Sequence, residues 1–201
     1  MRIVFIGSGQ LARPMLKALL DNPADSVVAV VTQPDRPSGR RLHLTPCPVK
    51  QFVEGRGVSV IAAENASAPD VVEKLAALSP DLMVVVDFGQ FLKKNLLALP
   101  AKGAINVHPS ILPKYRGAAP IQYAIANGDT ETGVSVLYVT QKMDAGDIIL
   151  QEVVSIHDDD TSLTLEPKLA AVGARLLVEA LDLIRGDRVV RKPQDGSQVT
   201  F

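Results

Sequence analysis

Three groups of residues have the types and spacing to do chemistry. The first is Asn106-Val-His108, at the C-terminal end of the apolar run Ala104 to Val107. In an extended strand, residues two apart face the same side, so a carboxamide and an imidazole converge there, at the end where open α/β sheets bind ligands. Both groups can donate hydrogen bonds to an oxyanion, as addition of a nucleophile to a carbonyl requires. The loop that follows, Pro109 to Gly117, is framed by prolines and carries donors at Ser110, Lys114, Arg116 and Gly117 suited to holding a substrate. The second group is Met143-Asp-Ala-Gly-Asp-Ile148, where a carboxylate beside a glycine that permits an unusual turn could reach the imidazole and hold its tautomer. Asp147 in that run also suits a plain turn or cap. The third is Gly7-Ser-Gly-Gln-Leu-Ala12, a G-x-G-x-x-A turn of the kind that seats a dinucleotide pyrophosphate on a helix N-terminus. A ribose-binding acid should then close the second strand, and the sequence has Thr32-Gln-Pro34 there, with Asp35 only beyond. A tight turn with no affinity for NAD or NADP is the expectation.

These groups need a frame, and the hydrophobic pattern supplies one. Apolar runs at Arg2 to Ile6, Val27 to Val31, Val58 to Ala62, Leu82 to Val86 and Ala104 to Val107 alternate with helical spacing at Leu11 to Leu20 and Pro69 to Leu78. Strands apolar on both faces and separated by helices predict a mostly parallel sheet covered on both sides, an α/β fold. After a helix over Pro120 to Asn127, the runs Val134 to Val139 and Ile148 to Val154 follow with no helix between them, so the second half is expected to be mixed or antiparallel. A long amphipathic helix through Leu165, Leu169, Val172, Leu176, Leu177 and Leu181 closes near Gly186. Residues 1–186 read as one domain and 187–201 as a linker or edge strand.

Composition narrows the function classes. The 201 residues are 47% hydrophobic and 21% charged, which excludes disordered and collagen-like chains, and a net charge of -1 gives no global field toward nucleic acid or anionic lipid. Any RNA contact must be local. Cys47 is the single cysteine and no apolar run reaches membrane-spanning length, so a cytoplasmic location is the default expectation, with no membrane partner. No cluster of His, Cys and acidic residues is spaced for a metal.

Asn106-x-His108, Ser110-Ile-Leu-Pro-Lys-Tyr-Arg-Gly117 and Asp144-Ala-Gly-Asp-Ile148 together resemble the folate-dependent formyltransferase family over essentially the whole chain. Val31-Thr-Gln-Pro-Asp-Arg-Pro-Ser-Gly-Arg40, Leu44-Thr-Pro-Cys-Pro-Val-Lys50 and Gly117-Ala-Ala-Pro-Ile-Gln122 are similar to its tRNA-formylating branch rather than to the branches acting on glycinamide ribonucleotide or sugar amines. The resemblance implies a Rossmann-like catalytic, N-terminal domain that moves a formyl group from 10-formyltetrahydrofolate to the amino group of methionyl-initiator tRNA in translation initiation. It places the catalytic set on Asn106, His108 and Asp144. It places the pterin-binding loop on Asp87, Phe88, Gly89, Gln90, Phe91 and Leu92, and acceptor contacts on the basic loop with Arg36, Arg40 and Arg41. The chain departs from the family pattern at Gly7-Ser-Gly-Gln, where Gly-Thr-Pro is usual, at Leu42-His43 in place of lysines, and at Asp87-Phe88 in place of a small residue and Tyr. An acid at 87 needs a partner or access to water. The tRNA-formylating members continue into a C-terminal barrel, so 187–201 are expected to lead toward a domain this chain lacks. Two other readings stand beside this one: an N-formyltransferase for a small amine such as a nucleotide-linked amino sugar, and a non-catalytic dinucleotide-binding Rossmann protein. The segment Pro34 to Pro46 shows no helical or strand periodicity and is expected to be an irregular loop, mobile until its acceptor binds.

Overall fold

The computed structural model describes residues 1–39 and 42–201; the expectations for Arg40 and Arg41 therefore lie outside the described residues. The chain divides into two compact units, Met1–Ala104 and Ile105–Phe201.

In the first unit, β1 (Arg2–Gly7), β2 (Ser26–Thr32), β5 (Val60–Ala62) and β6 (Leu82–Val86) lie in the order β5-β2-β1-β6, all parallel. Ile3, Val4, Phe5 and Ile6 are fully buried, which is why this strand shows no alternation: both faces are covered. Helix α1 (Ala12–Asp21) turns Met15, Leu16 and Leu19 inward and packs on β2 and on α2 (Pro48–Val53); α3 (Pro69–Ala77) and the single turn α4 (Lys94–Leu97) complete the connections. Neither α2 nor α4 has enough residues to show a helical period, so both escape a reading by periodicity. The segment expected to be irregular holds a short antiparallel hairpin, β3 (Arg36–Ser38) with β4 (His43–Thr45). Its side chains are almost all exposed, so backbone hydrogen bonds define it and no apolar alternation marks it in the sequence.

The second unit takes β7 (Ala104–His108) from Ile105 onward and pairs it antiparallel with β8 (Glu131–Tyr138), which pairs antiparallel with β9 (Ile148–Ser155). The expectation of a parallel sheet that becomes mixed in the second half is borne out. Helix α5 (Pro120–Ala126) packs on β8 and on α6 (Ser162–Arg185), and α6 lays its buried leucines on β8 and β9. Thr161 and Thr164 cap α6 reciprocally, side chain to backbone, which starts the helix three residues before its first buried leucine. Beyond α6, Lys192 pairs with Ile148 and residues Gly196–Gln198 make one 3-10 turn. No helix among the described residues is long and apolar enough to cross a membrane.

Candidate active site

Asn106 and His108 occupy one face of β7, opposite Leu137 and Ser135 of β8, while Ile105 and Val107 fill the other face. The strand alternation thus aims amide and ring the same way, as the spacing predicts. Asp144 meets them. Its Oδ1 accepts from Asn106 Nδ2 at 3.0 Å, its Oδ2 accepts from the Gly117 backbone N–H at 2.9 Å, and Oδ2 lies 3.6 Å from His108 Nδ1. The other ring nitrogen, Nε2, lies 2.8 Å from the Tyr115 carbonyl oxygen. A carbonyl only accepts, so Nε2 carries a hydrogen and Nδ1 is the nitrogen turned to the carboxylate. Only 6% of the His108 side chain and 15% of the Asp144 side chain reach solvent, so the pair interacts with little screening by water. Between the two acids of the second motif, it is Asp144 that reaches the imidazole; the Asp147 carbonyl accepts from Tyr138 N and closes the loop.

Two loops bring these groups together. In the first, the Ser135 hydroxyl donates to Ser110 O and accepts from Leu112 N and Gln151 Nε2, which uses its full bonding capacity at a position with no exposure. The Ser110 hydroxyl, also fully buried, donates to Lys114 O, so it closes its own loop. Lys114 is exposed and Arg116 half-buried. Tyr115 then adopts a left-handed backbone (φ 56°), which aims its carbonyl at His108, while its hydroxyl donates to Asp129 and accepts from Asn127. Burial pushes the Tyr115 phenol up from its ordinary pKa, and the Asp129 carboxylate adds to this against the Asn127 bond. In the second loop Asp144 is itself left-handed (φ 45°), and a Cβ on Gly146 would sit 1.8 Å from the Tyr138 carbonyl oxygen, so only glycine permits the turn. Ala119 is left-handed as well (φ 58°), and each such non-glycine residue stores ~1 kcal/mol or more of strain that surrounding contacts must hold. Sequence reasoning missed the Tyr115 carbonyl and Gln194, and it read Gly117 as a donor to substrate where its N–H is given to Asp144. Gln194 donates to the carbonyls of Asp144 and Gly146 and accepts from Arg116. No side-chain pattern announces backbone groups, and Gln194 lies in the stretch read as a linker.

In the first unit, the loop expected to hold the pterin runs from Asp87 (φ 47°) to Leu92. Phe88 and Leu92 are buried, Phe91 is 57% exposed, and Gln90 spends its side chain on Ala66 N and Ala63 O. Gln33 donates to Phe88 O at 2.6 Å. The carboxylate of Asp87 lies over Gly9, where a Cβ would fall 1.6 Å from its Oδ2, and accepts from Leu11 N at the start of α1. That is the partner the acid needed; burial still holds its pKa above the ordinary carboxylate value, against the opposing Leu11 bond. The anion position at this helix start is thereby filled from within the chain, and Thr32, fully buried, ends β2 where a dinucleotide site would have its acid. In the basic segment, Arg36 is paired with Glu64, and Lys50 donates to both oxygens of Asp35 at 2.7 and 2.9 Å.

A parallel α/β half and an antiparallel half carrying Asn, His and Asp at a strand end define the class. The chain belongs to the formyl transferase family, whose model matches residues 1–181. It is 46% identical over 201 residues to methionyl-tRNA formyltransferase of Geotalea daltonii, an alignment covering 100% of this chain and 64% of that protein. Among solved structures, glycinamide ribonucleotide transformylase 1 from Symbiobacterium toebii has the same fold (TM-score 0.79, 24% identity, 97% of this chain and 94% of that one). Phosphoribosylglycinamide formyltransferase from Coxiella burnetii superposes with a TM-score of 0.75 at 27% identity, covering 100% of this chain and 99% of that one.

Proposed function

We propose that this chain transfers a formyl group from 10-formyltetrahydrofolate to the amino group of methionyl-initiator tRNA. The cluster of Asn106, His108 and Asp144 in a chain of the formyl transferase family carries the reading. The 46% identity to a methionyl-tRNA formyltransferase favours this acceptor. That relative is longer, since the chain spans 64% of it.

The chemistry follows from the donors and acceptors on hand. A neutral amine adds to the formyl carbon, placing negative charge on its oxygen and an excess proton on nitrogen. The bond from that carbon to the folate nitrogen then breaks, and the nitrogen takes up a proton. Asn106 gives one amide hydrogen to Asp144 and keeps a second for the oxygen. His108 contributes positive charge when protonated at Nδ1, facing Asp144. Asp144, with Oδ2 3.6 Å from that nitrogen, is the carboxylate that takes up the amine proton. Residues 87–92 bind the donor, with Phe91 the exposed aromatic of that loop. Lys114 and Arg116, together with Arg36, Arg40 and Arg41, contact the acceptor, while Ser110 and Gly117 hold the 110–117 loop in place through Lys114 O and Asp144.

One observation favours a small amine, such as a nucleotide-linked amino sugar, as acceptor: Arg36 and Lys50 are already neutralised by Glu64 and Asp35. A formyl-transfer assay with 10-formyltetrahydrofolate, offering charged initiator tRNA and amino-sugar nucleotides in parallel, decides between them. Transfer to the tRNA is expected. Transfer only to the sugar amine overturns the acceptor, and binding of NAD(H) in a calorimetric titration without any transfer overturns the reaction class.

A further inference from the structure

We propose that residues 192–200 form a strap holding the two active-site loops in register, with Gln194 as a positioning residue for His108 and Asp144. The inference rests on the reading of those residues as the catalytic group. It concerns residues beyond the 1–181 matched by the family model.

Gln194 makes four hydrogen bonds and has capacity for no more. Its Nε2 donates to the Asp144 carbonyl and to the Gly146 carbonyl, each at 2.8 Å, and its Oε1 accepts from Arg116 Nε at 3.1 Å and Nη2 at 2.7 Å. The orientation is unambiguous: a flipped amide would present oxygen to two carbonyls and N–H groups to a guanidinium. One side chain therefore ties the Asp144 loop to the residue that follows Tyr115. Those are the groups on the two sides of the imidazole, Asp144 at Nδ1 and the Tyr115 carbonyl at Nε2.

The strap is anchored on both sides of Gln194. Before it, Lys192 and Ile148 exchange backbone hydrogen bonds at 2.9 and 3.0 Å, and the Arg191 guanidinium stacks 4.2 Å from the Tyr138 ring centre. After it, Thr200 accepts from Tyr115 N at its hydroxyl (2.8 Å) and from Arg116 N at its carbonyl (2.9 Å), and donates its own N–H to Pro113 O. The segments it grips include Tyr115 and Asp144, both left-handed without being glycine, a conformation that persists only where contacts enforce it.

The test replaces Gln194 in the full chain in two ways. Gln194→Met keeps the bulk and removes all four bonds; Gln194→Glu keeps the acceptor for Arg116 and turns a carboxylate oxygen toward the two carbonyls. With the loops out of register, kcat is expected to fall roughly tenfold to a hundredfold in both while KM for the folate donor stays within about twofold. The chain has three histidines, so the 15N imidazole signals of His108 can be followed directly, and they are expected to move in both variants. An unchanged kcat, or a loss of thermal stability with the His108 signals unmoved, overturns the strap. If the unsubstituted chain shows no formyl transfer, the functional reading fails alone, and the His108 signals still decide the positioning role.

Discussion

His108 is bonded at Nε2 to the Tyr115 carbonyl and turns Nδ1 to the Asp144 carboxylate, so its orientation is set before any substrate arrives. A side chain preorganised in that way acts on the transition state more than on the ground state. His108→Ala is therefore expected to lower kcat by about a hundredfold or more while the donor dissociation constant changes little. Equal losses in both would assign the ring a structural role. Asp87 calls for a different measurement. Its native pKa is raised by burial, so between the unfolded value and the native one the folded state binds more protons than the unfolded state. The stability this contributes is present at low pH and is lost as pH rises through the native pKa. Asp87→Asn keeps an acceptor for Leu11 N without a charge, and should be more stable than the parent at pH 7 and flatter in melting temperature across the carboxylate range. A variant less stable than the parent at pH 7 would show that the charge itself is stabilising there.

The strands and loops carry a second distinction, between obstacles that yield and obstacles that do not. A Cβ at Gly9 meets the far end of the Asp87 side chain, which can rotate away; a Cβ at Gly146 meets the Tyr138 carbonyl, which belongs to the backbone leading out of β8. Gly9→Ala should therefore cost about 1 kcal/mol, as Asp87 gives up its Leu11 bond, whereas Gly146→Ala should cost about 2 kcal/mol or more, because the loop carrying Asp144 must shift. Denaturant midpoints of the two variants measure this, and equal costs would mean that the Gly146 turn relaxes freely. The glycines of Gly7-Ser-Gly thus serve local geometry: the turn is built around an internal carboxylate, which leaves it unlike the nucleotide-binding turn its spacing suggests.

At the scale of the molecule, a net charge of -1 leaves any attraction to tRNA to local patches, and the described cations of the basic segment are already paired. Replacing Arg40 and Arg41 with Ala is expected to weaken tRNA binding and to reduce the slope of log affinity against log salt by about one per lost phosphate contact. Arg36→Ala should change the slope less, since Glu64 is its present partner. A slope unaltered by the double replacement would favour a small acceptor.

The sequence by itself determined the α/β class, the parallel first half and antiparallel second half, and the face shared by Asn106 and His108. Each of these rests on local periodicity: continuous apolar runs where a strand is covered on both sides, and a two-residue repeat along β7. The hairpin of β3 and β4 and the short α2 were not legible, because a few exposed residues leave no hydrophobic period. Resemblance to a family, rather than spacing, singled out Asp144, since Asp147 offered the same carboxylate three residues on. The tertiary structure shows which of the two reaches the ring. It turned Asp144 through a left-handed backbone onto Asn106, Gly117 and His108, set the Tyr115 carbonyl against the far side of the ring, and brought Gln194 across 50 residues to the Asp144 carbonyl. Contacts made by backbone atoms and by residues distant in the chain depend on how loops close, and no pattern of side-chain types along the sequence encodes that.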